Sequence, residues 1–220
     1  MGFLDQYRSP GDLPRVLKVF PLPGAFLLPY AELPLNIFEL RYLAMVSDAL
    51  SGDRLVGMIQ PDDEDADLTG RPALKQVGCA GRITTYTETP DGRILITLSG
   101  VCRFAIVKEP GSDRPYREIE ADYRDFASDL GEAEPDRDID RSSLIKVFRD
   151  YLAANDMGAD WDQVRTASTE VLVNTLAVIA PHAPRDKQAL LEAKDLKSRA
   201  DVLIALTERA LQGTTRSSLQ

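Results

Sequence analysis

The chain holds one histidine, one tryptophan and two cysteines among its 220 residues, and this scarcity removes several chemistries at once. One histidine and two separated cysteines, Cys79 and Cys102, do not furnish the ligand set of a tetrahedral zinc site, so neither a metal nor another cofactor is expected. The cysteines lack C-x-x-C spacing and lie in apolar stretches, where a free Cys behaves as a small buried hydrophobe; reduced core thiols are expected. His182 sits in Ala180-Pro181-His182-Ala183-Pro184, between two helical patterns, and reads as a capping or surface residue rather than a base. No Gly-Lys pair occurs, so there is no phosphate-cradling loop with a lysine to reach the β and γ oxygens. The dinucleotide loop G-x-G-x-x-G and the nucleophile elbow G-x-S-x-G are absent as well. No apolar run approaches the roughly 18 residues of a membrane span. Met1-Gly2-Phe3-Leu4-Asp5-Gln6 lacks the basic-then-apolar pattern of a secretory signal and has Gln6 where myristoylation favours Ser or Thr. A cytoplasmic protein without membrane partners is the expectation.

What is present is an ordinary globular composition, 44% hydrophobic and 28% charged, with a net charge of −9. The acidity is concentrated in residues 1–137, which carry 15 basic and 23 acidic side chains. No run of Lys or Arg gathers a basic stripe, so nucleic acid is not expected as a partner. Arg117 and Arg124, or Tyr86 and Tyr116, are the residue types that stack on bases, but aromatics on strands more often form core or cross-strand pairs. Asp63, Asp65 and Asp67 match the first ligand positions of an EF-hand loop. Leu68 and Leu74 stand where its Gly and bidentate Glu are required, so a solvated loop is expected.

Along the chain, a short N-terminal extension (1–15) precedes a β-rich part (16–126). Strand patterns occupy 16–20, 54–60, 76–87, 93–99, 101–107 and 116–126, with Gly100 breaking one run and Thr89-Pro90-Asp91-Gly92 forming a turn. Proline punctuates 25–35, where short extended pieces are expected. A helix is predicted over 38–50, with Leu40, Leu43, Ala44 and Leu50 sharing a face and Phe38 and Val46 alongside. Residues 127–139 read as a linker. From Asp140 the period becomes helical, with Leu144, Val147, Phe148, Tyr151 and Leu152 on one stripe. Three more helices are predicted to follow, the last ended by Gly213, so that 140–212 form a bundle and 213–220 a flexible tail.

One segment says more than its periodicity. Val19-Phe20-Pro21-Leu22-Pro23-Gly24 is followed by Leu28-Pro29 and by Pro34-Leu35-Asn36-Ile37-Phe38-Glu39-Leu40-Arg41-Tyr42. This resembles the opening of the N-terminal substrate-binding domain of Lon-type proteases: a strand ending in F-P-L, a second ending in P-L, and a helix starting I-F-E-x-R-Y. Gly57-Met58-Ile59-Gln60, Val77-Gly78-Cys79-Ala80-Gly81-Arg82-Ile83 and Leu98-Ser99-Gly100-Val101-Cys102-Arg103-Phe104 are similar to further family stretches, as are Val173–Ala177, Lys187–Ala193 and Leu196–Ala200. The resemblance covers residues 16–211. It implies an α+β fold, a PUA-like pseudo-barrel of about six strands with an inserted helix and then a bundle of about four helices.

The resemblance also implies function. The enzymes of the family continue into ATPase and Ser-Lys peptidase domains, whose motifs this chain lacks, so a free-standing, non-catalytic polypeptide-binding module is expected. Its partners would be unfolded or specific protein substrates. The alternative is a regulatory or adaptor subunit that contacts a full-length protease or a second copy of itself; nucleic-acid binding by analogy with other PUA-like folds, and an enzyme with its own pocket, rank lower. A polypeptide-binding surface needs exposed apolar groups on a rigid scaffold, and Phe26, Leu27, Leu28 and Tyr30 are the candidates. Phe20, Pro21, Leu22, Pro34, Phe38, Glu39, Arg41, Tyr42, Gly78, Gly100, Arg103 and Phe104 are the family-motif positions, with structural roles expected. Phe20, Phe38 and Phe104 are assigned to the core, Glu39 and Arg41 to a pairing with the barrel, and Gly78, Gly81 and Gly100 to bulges or close backbone approach.

Overall fold

The computed structural model describes residues 6–62, 71–131 and 138–217, with side chains as far as Leu211. The chain divides into two compact units, 1–132 and 133–220. The aspartates of the EF-hand-like loop, Asp63, Asp65 and Asp67, lie outside the described residues.

In the first unit the strands are β1 (Val16–Pro21), β2 (Glu32–Ile37), β3 (Leu55–Ile59), β4 (Val77–Glu88), β5 (Ile94–Lys108) and β6 (Arg117–Asp122), with helix α1 (Leu40–Leu50) between β2 and β3. They form one sheet in the order β2-β5-β4-β3-β1-β6, and an additional β5–β6 pairing closes it. The long β5 makes closure possible. Its first half, Ile94–Ser99, pairs with β2, and Ala105–Lys108 pairs with β6. β1 and β3 run parallel, while the other pairings are antiparallel. Inside lie Leu17, Val19, Leu55, Ile59, Ala80, Cys102, Phe104 and Ile119. The expected turn at Thr89–Gly92 is present, closed by Thr89 N–H donating to the Arg93 carbonyl at 2.9 Å, with Gly92 at φ 82°.

Gly100 does not break a strand, as the sequence suggested. It lies inside a continuous fifteen-residue β5 and admits another piece of backbone. A Cβ at Gly100 would sit 1.9 Å from the Leu28 carbonyl oxygen. Gly100 N–H donates to Ala31 O at 2.9 Å and its carbonyl accepts from Tyr30 N–H at 3.1 Å. The proline-punctuated loop is therefore sewn onto β5 where the side chain is missing. Gly78 works similarly: the Phe104 ring and the Met58 carbonyl stand 2.4 and 2.6 Å from where its Cβ would be.

Helix α1 buries Tyr42, Met45, Val46 and Ala49, not the predicted stripe of Leu40, Leu43, Ala44 and Leu50. Both sets satisfy helical spacing, so the period alone left two stripes open. Packing chose between them, because the Tyr42 ring lies 4.1 Å from that of Phe20 on β1. Beyond β6, Arg124–Leu130 forms a 3-10 turn with Asp129 buried, so residues 127–130, read from sequence as the start of a linker, are folded in this unit.

The second unit contains α2 (Arg141–Ala154), α3 (Trp161–Thr166), α4 (Thr169–Ile179), α5 (Pro184–Glu192) and α6 (Leu196–Ser217). Start signals are in place: the Asp140, Asp160 and Ser168 side chains accept from N–H groups of the first turns of α2, α3 and α4, and Pro184 opens α5. α2 buries the predicted stripe of Leu144, Val147, Phe148, Tyr151 and Leu152. α3 was not anticipated; with six residues and none buried it has no apolar period to detect. α6 runs through Gly213 to Ser217 instead of ending at the glycine. The helical family stretches meet at a buried polar group. Arg199 on α6, 2% exposed, donates from Nε to Leu190 O at 3.0 Å and from Nη1 to Asn174 Oδ1 at 2.9 Å.

Candidate polypeptide-binding surface

The segment nominated from sequence as a binding patch is interior. Phe26 is 2% exposed, and Leu27 and Leu28 are fully buried. The cause is the docking of their loop on β5: Leu27 reaches into the space above Gly81, and the Leu28 carbonyl packs on Gly100. Tyr30 is half-buried, at φ 63°, and its hydroxyl donates to the carbonyls of Asp129 and Gly131 at 3.3 Å. These four residues hold the loop to the barrel; Phe26, Leu27 and Leu28 offer no apolar surface, and only Tyr30 stays partly exposed.

Eight residues further on the opposite correction applies. Phe38, assigned to the core from sequence, is 63% exposed, and Leu40 is 85% exposed. Strand geometry explains this. Ile37 at the end of β2 points inward and is buried, so alternation turns Phe38 out. Tyr42 then anchors the helix inward, which leaves Leu40 on the outer side. Glu39 and Arg41 pair with each other across this step: Arg41 Nε and Nη2 donate to Glu39 Oε2 at 2.9 and 2.7 Å. Of the expected core phenylalanines, Phe20 and Phe104 are buried as predicted.

Arg41 also lines a cleft of about 310 Å3 with Pro21, Tyr42, Arg71, Arg114, Tyr116 and Arg117. Its arginines are held by acids. Arg117 grips Glu109 with two bonds, at 2.8 and 2.6 Å, and donates to Pro72 O; Arg71 approaches Glu109 at 3.9 Å. Arg117 holds the Glu109 carboxyl below its usual range. Arg114 and the Tyr116 hydroxyl share Asp48, at 2.5 and 2.6 Å. Burial, then the bond to Asp48, raises the Tyr116 phenol. The cleft is thus a polar, internally neutralised wall with aromatic panels. Arg117 and Arg124, weighed from sequence for base contacts, hold Glu109 and Asp122 respectively, and Tyr116 is buried.

Reactive groups are scarce. Burial, and then the neighbouring Asp129, pushes the Cys102 thiol far above its ordinary range, and Cys79 is fully buried. Burial lowers the His182 pKa. Among the described residues no group of three or more His, Cys, Asp or Glu side chains could hold a metal ion.

Arg103 of the L-x-G-x-x-R-F stretch is buried and bound to Asp129: its backbone N and Nε donate to Oδ2 at 2.9 Å, and Nη2 to Oδ1 at 2.8 Å. A signal for this pair is readable in the sequence, since an arginine in an apolar strand requires a carboxylate. Nothing in it singled out Asp129.

Comparison with known proteins places this architecture. Residues 16–209 match the family described as ATP-dependent protease La (LON) substrate-binding domain. The chain is 27% identical over 207 residues to Lon protease 2 of Sorangium cellulosum, covering 89% of this chain and 25% of that protein. It is 24% identical over 209 residues to Lon protease 1 of Bacillus subtilis, covering 88% and 25% respectively. The chain thus spans about a quarter of the length of the curated relatives it matches. The fold is that of a Lon N-terminal domain protein from Xanthomonas campestris (TM-score 0.59, 24% identity, 86% of this chain and 97% of that one). It is equally that of the N-terminal domain of Mycobacterium avium complex Lon protease (TM-score 0.63, 18% identity, 88% and 98%). A barrel closed through one long strand, a helix opened by the I-F-E-x-R-Y step and a family match over nearly the whole length lead to one conclusion: the chain belongs to the ATP-dependent protease La (LON) substrate-binding domain family.

Proposed function

We propose that these 220 residues form a polypeptide-binding module that contributes no bond-breaking chemistry of its own, and that non-native protein segments engage it at Phe38 and Leu40. The observation that carries the reading is the exposure of these two large apolar side chains within three positions, 63% and 85%, on a scaffold whose other motif phenylalanines are buried. Exposed apolar groups fixed to rigid elements are what an unfolded chain can use, because its own apolar side chains are still in water. Tyr42, buried against Phe20, fixes the helix that carries Leu40, so little ordering is required on binding. The cleft that begins at Arg41 continues this surface with polar, ion-paired side chains. Family membership supports the class of ligand. Among the described residues no helix is long and apolar enough to cross a membrane.

The test is a titration of the protein with a fluorescently labelled, permanently unfolded polypeptide, with a folded protein and single-stranded RNA as controls. Saturable binding to the unfolded chain alone supports the reading. Absence of binding at tens of micromolar, or equal binding to RNA, contradicts it.

A further inference from the structure

The helical unit carries a second surface with a different chemistry. Arg141, Ile145 and Arg149 of α2 and Trp161, Val164 and Arg165 of α3 line a groove of about 250 Å3. Its walls are apolar: Ile145 and Val164 are half-buried, and Trp161 is 38% exposed. The indole is fixed on two sides, edge-on to Phe148 with centroids 6.3 Å apart and with the Arg149 guanidinium 4.8 Å above the ring. It is therefore a preset aromatic wall rather than a loose side chain.

The charge of the rim sets this groove apart from the cleft of the first unit. There each lining arginine faces a carboxylate. Here, among the described residues, Arg141 and Arg149 form no ion pair, and only Arg165 has one, with Asp162 at 2.9 Å. Arg141 is turned to backbone: Nη2 donates to the carbonyls of Val164 and Ala167 at 3.0 and 2.8 Å, and Nη1 to Thr169 Oγ1 at 3.0 Å. It caps the end of α3 and keeps its positive charge at the groove. A chain of net charge −9 thus presents one apolar pocket rimmed by cations in excess.

We infer that this groove is a docking site for an acidic polypeptide segment in which one large apolar side chain is flanked by carboxylates. The apolar side chain packs on Trp161, Ile145 and Val164, and the carboxylates reach Arg149 and Arg165. The volume suits a single side chain rather than a drug-sized ligand. Trp and Arg are among the residue types enriched where binding energy concentrates at protein interfaces, and arginines select carboxylates through charge-assisted bonds. The groove shares no residue with the Phe38 and Leu40 pair, and the inference holds whether or not those residues bind polypeptide.

Trp161 is the single tryptophan of the chain, so its emission reads the groove directly. The probe is the acetylated, amidated peptide Asp-Asp-Phe-Asp-Asp, followed by Trp161 fluorescence and calorimetry. Its counterparts with lysine for aspartate and with serine for Phe serve as controls. Saturable binding of the acidic apolar peptide alone is expected, weakening as salt is raised. Arg149→Glu and Arg165→Glu, both at exposed positions, should each weaken it about tenfold or more with the circular dichroism unchanged. Phe38→Ser with Leu40→Ser should leave it intact. Equal binding of the lysine peptide, undiminished affinity in Arg149→Glu, loss in the Phe38 and Leu40 variant, or neither heat nor emission change with the acidic peptide each overturns the inference.

Discussion

Arg103 on β5 and Asp129 in the turn after β6 form a buried ion pair, with side chains 4% and 6% exposed and a guanidinium oxygen contact of 2.8 Å. Arg103 also lies 4.8 Å over the Phe126 ring, so the turn is fastened at two points. Removing one partner leaves a buried charge alone. Asp129→Ala should cost about 3–5 kcal/mol of unfolding free energy in urea, whereas replacing both residues by apolar ones of similar volume should recover much of it. A loss below about 1 kcal/mol for Asp129→Ala would show that the pair does not hold the turn.

Gly100 separates a packing role from a turn role. Gly100→Ala places a methyl group against the Leu28 carbonyl at 1.9 Å, and backbone cannot rotate away as a side chain can. A loss of about 3 kcal/mol or more is expected, with the loop of Phe26–Tyr30 released. Gly111→Ala, with nothing within 4 Å of the new methyl, should stay within about 0.5 kcal/mol of the wild type in the same urea titration.

The two thiols report on the barrel. Burial, reinforced by Asp129, raises the native Cys102 pKa, while in the unfolded chain it returns to about 8.5. A group whose pKa is higher in the folded state loses its stabilising contribution as pH rises from the unfolded value toward the folded one. Stability should therefore be level through neutral pH and fall above about 8.5. Neither Cys79 nor Cys102 should react with a thiol reagent until the protein unfolds, and a fast native reaction would contradict this burial.

Much of the architecture was legible in local signals. The change from strand to helical period near Asp140 and the α2 stripe are short-range features, and the structure contains them. Failures occurred where distant contacts decide. Phe26 and Leu28 are as apolar on paper as Phe38 and Leu40. The first two are buried because Gly100, some 70 residues later, admits their backbone; Phe38 is exposed because Ile37 takes the inward position on β2, and Leu40 because Tyr42 takes it on α1. Asp129 sat in a polar stretch that read as a linker, and only its partner 26 residues earlier shows it to be interior. Trp161 opens a helix too short to leave a period, so the groove it lines had no sequence signature beyond the lone tryptophan.

The same contrast predicts how substitutions behave. Leu28→Ala should lower stability by about 2–5 kcal/mol, as buried leucine truncations do. Phe38→Ser and Leu40→Ser should each change it by no more than about 0.5 kcal/mol, since both side chains are already in water. Thermal unfolding of the three variants side by side checks the assignment of inside and outside.

The measurement that bears most directly on the central claim compares wild-type protein with the Phe38→Ser, Leu40→Ser double variant in a titration of labelled unfolded polypeptide. Both samples are first shown to unfold at the same temperature. The account predicts saturable binding by the wild type and at least a tenfold loss in the variant, which is about 1.4 kcal/mol of binding free energy. Undiminished binding by the folded variant would contradict it and move the polypeptide site elsewhere on the molecule.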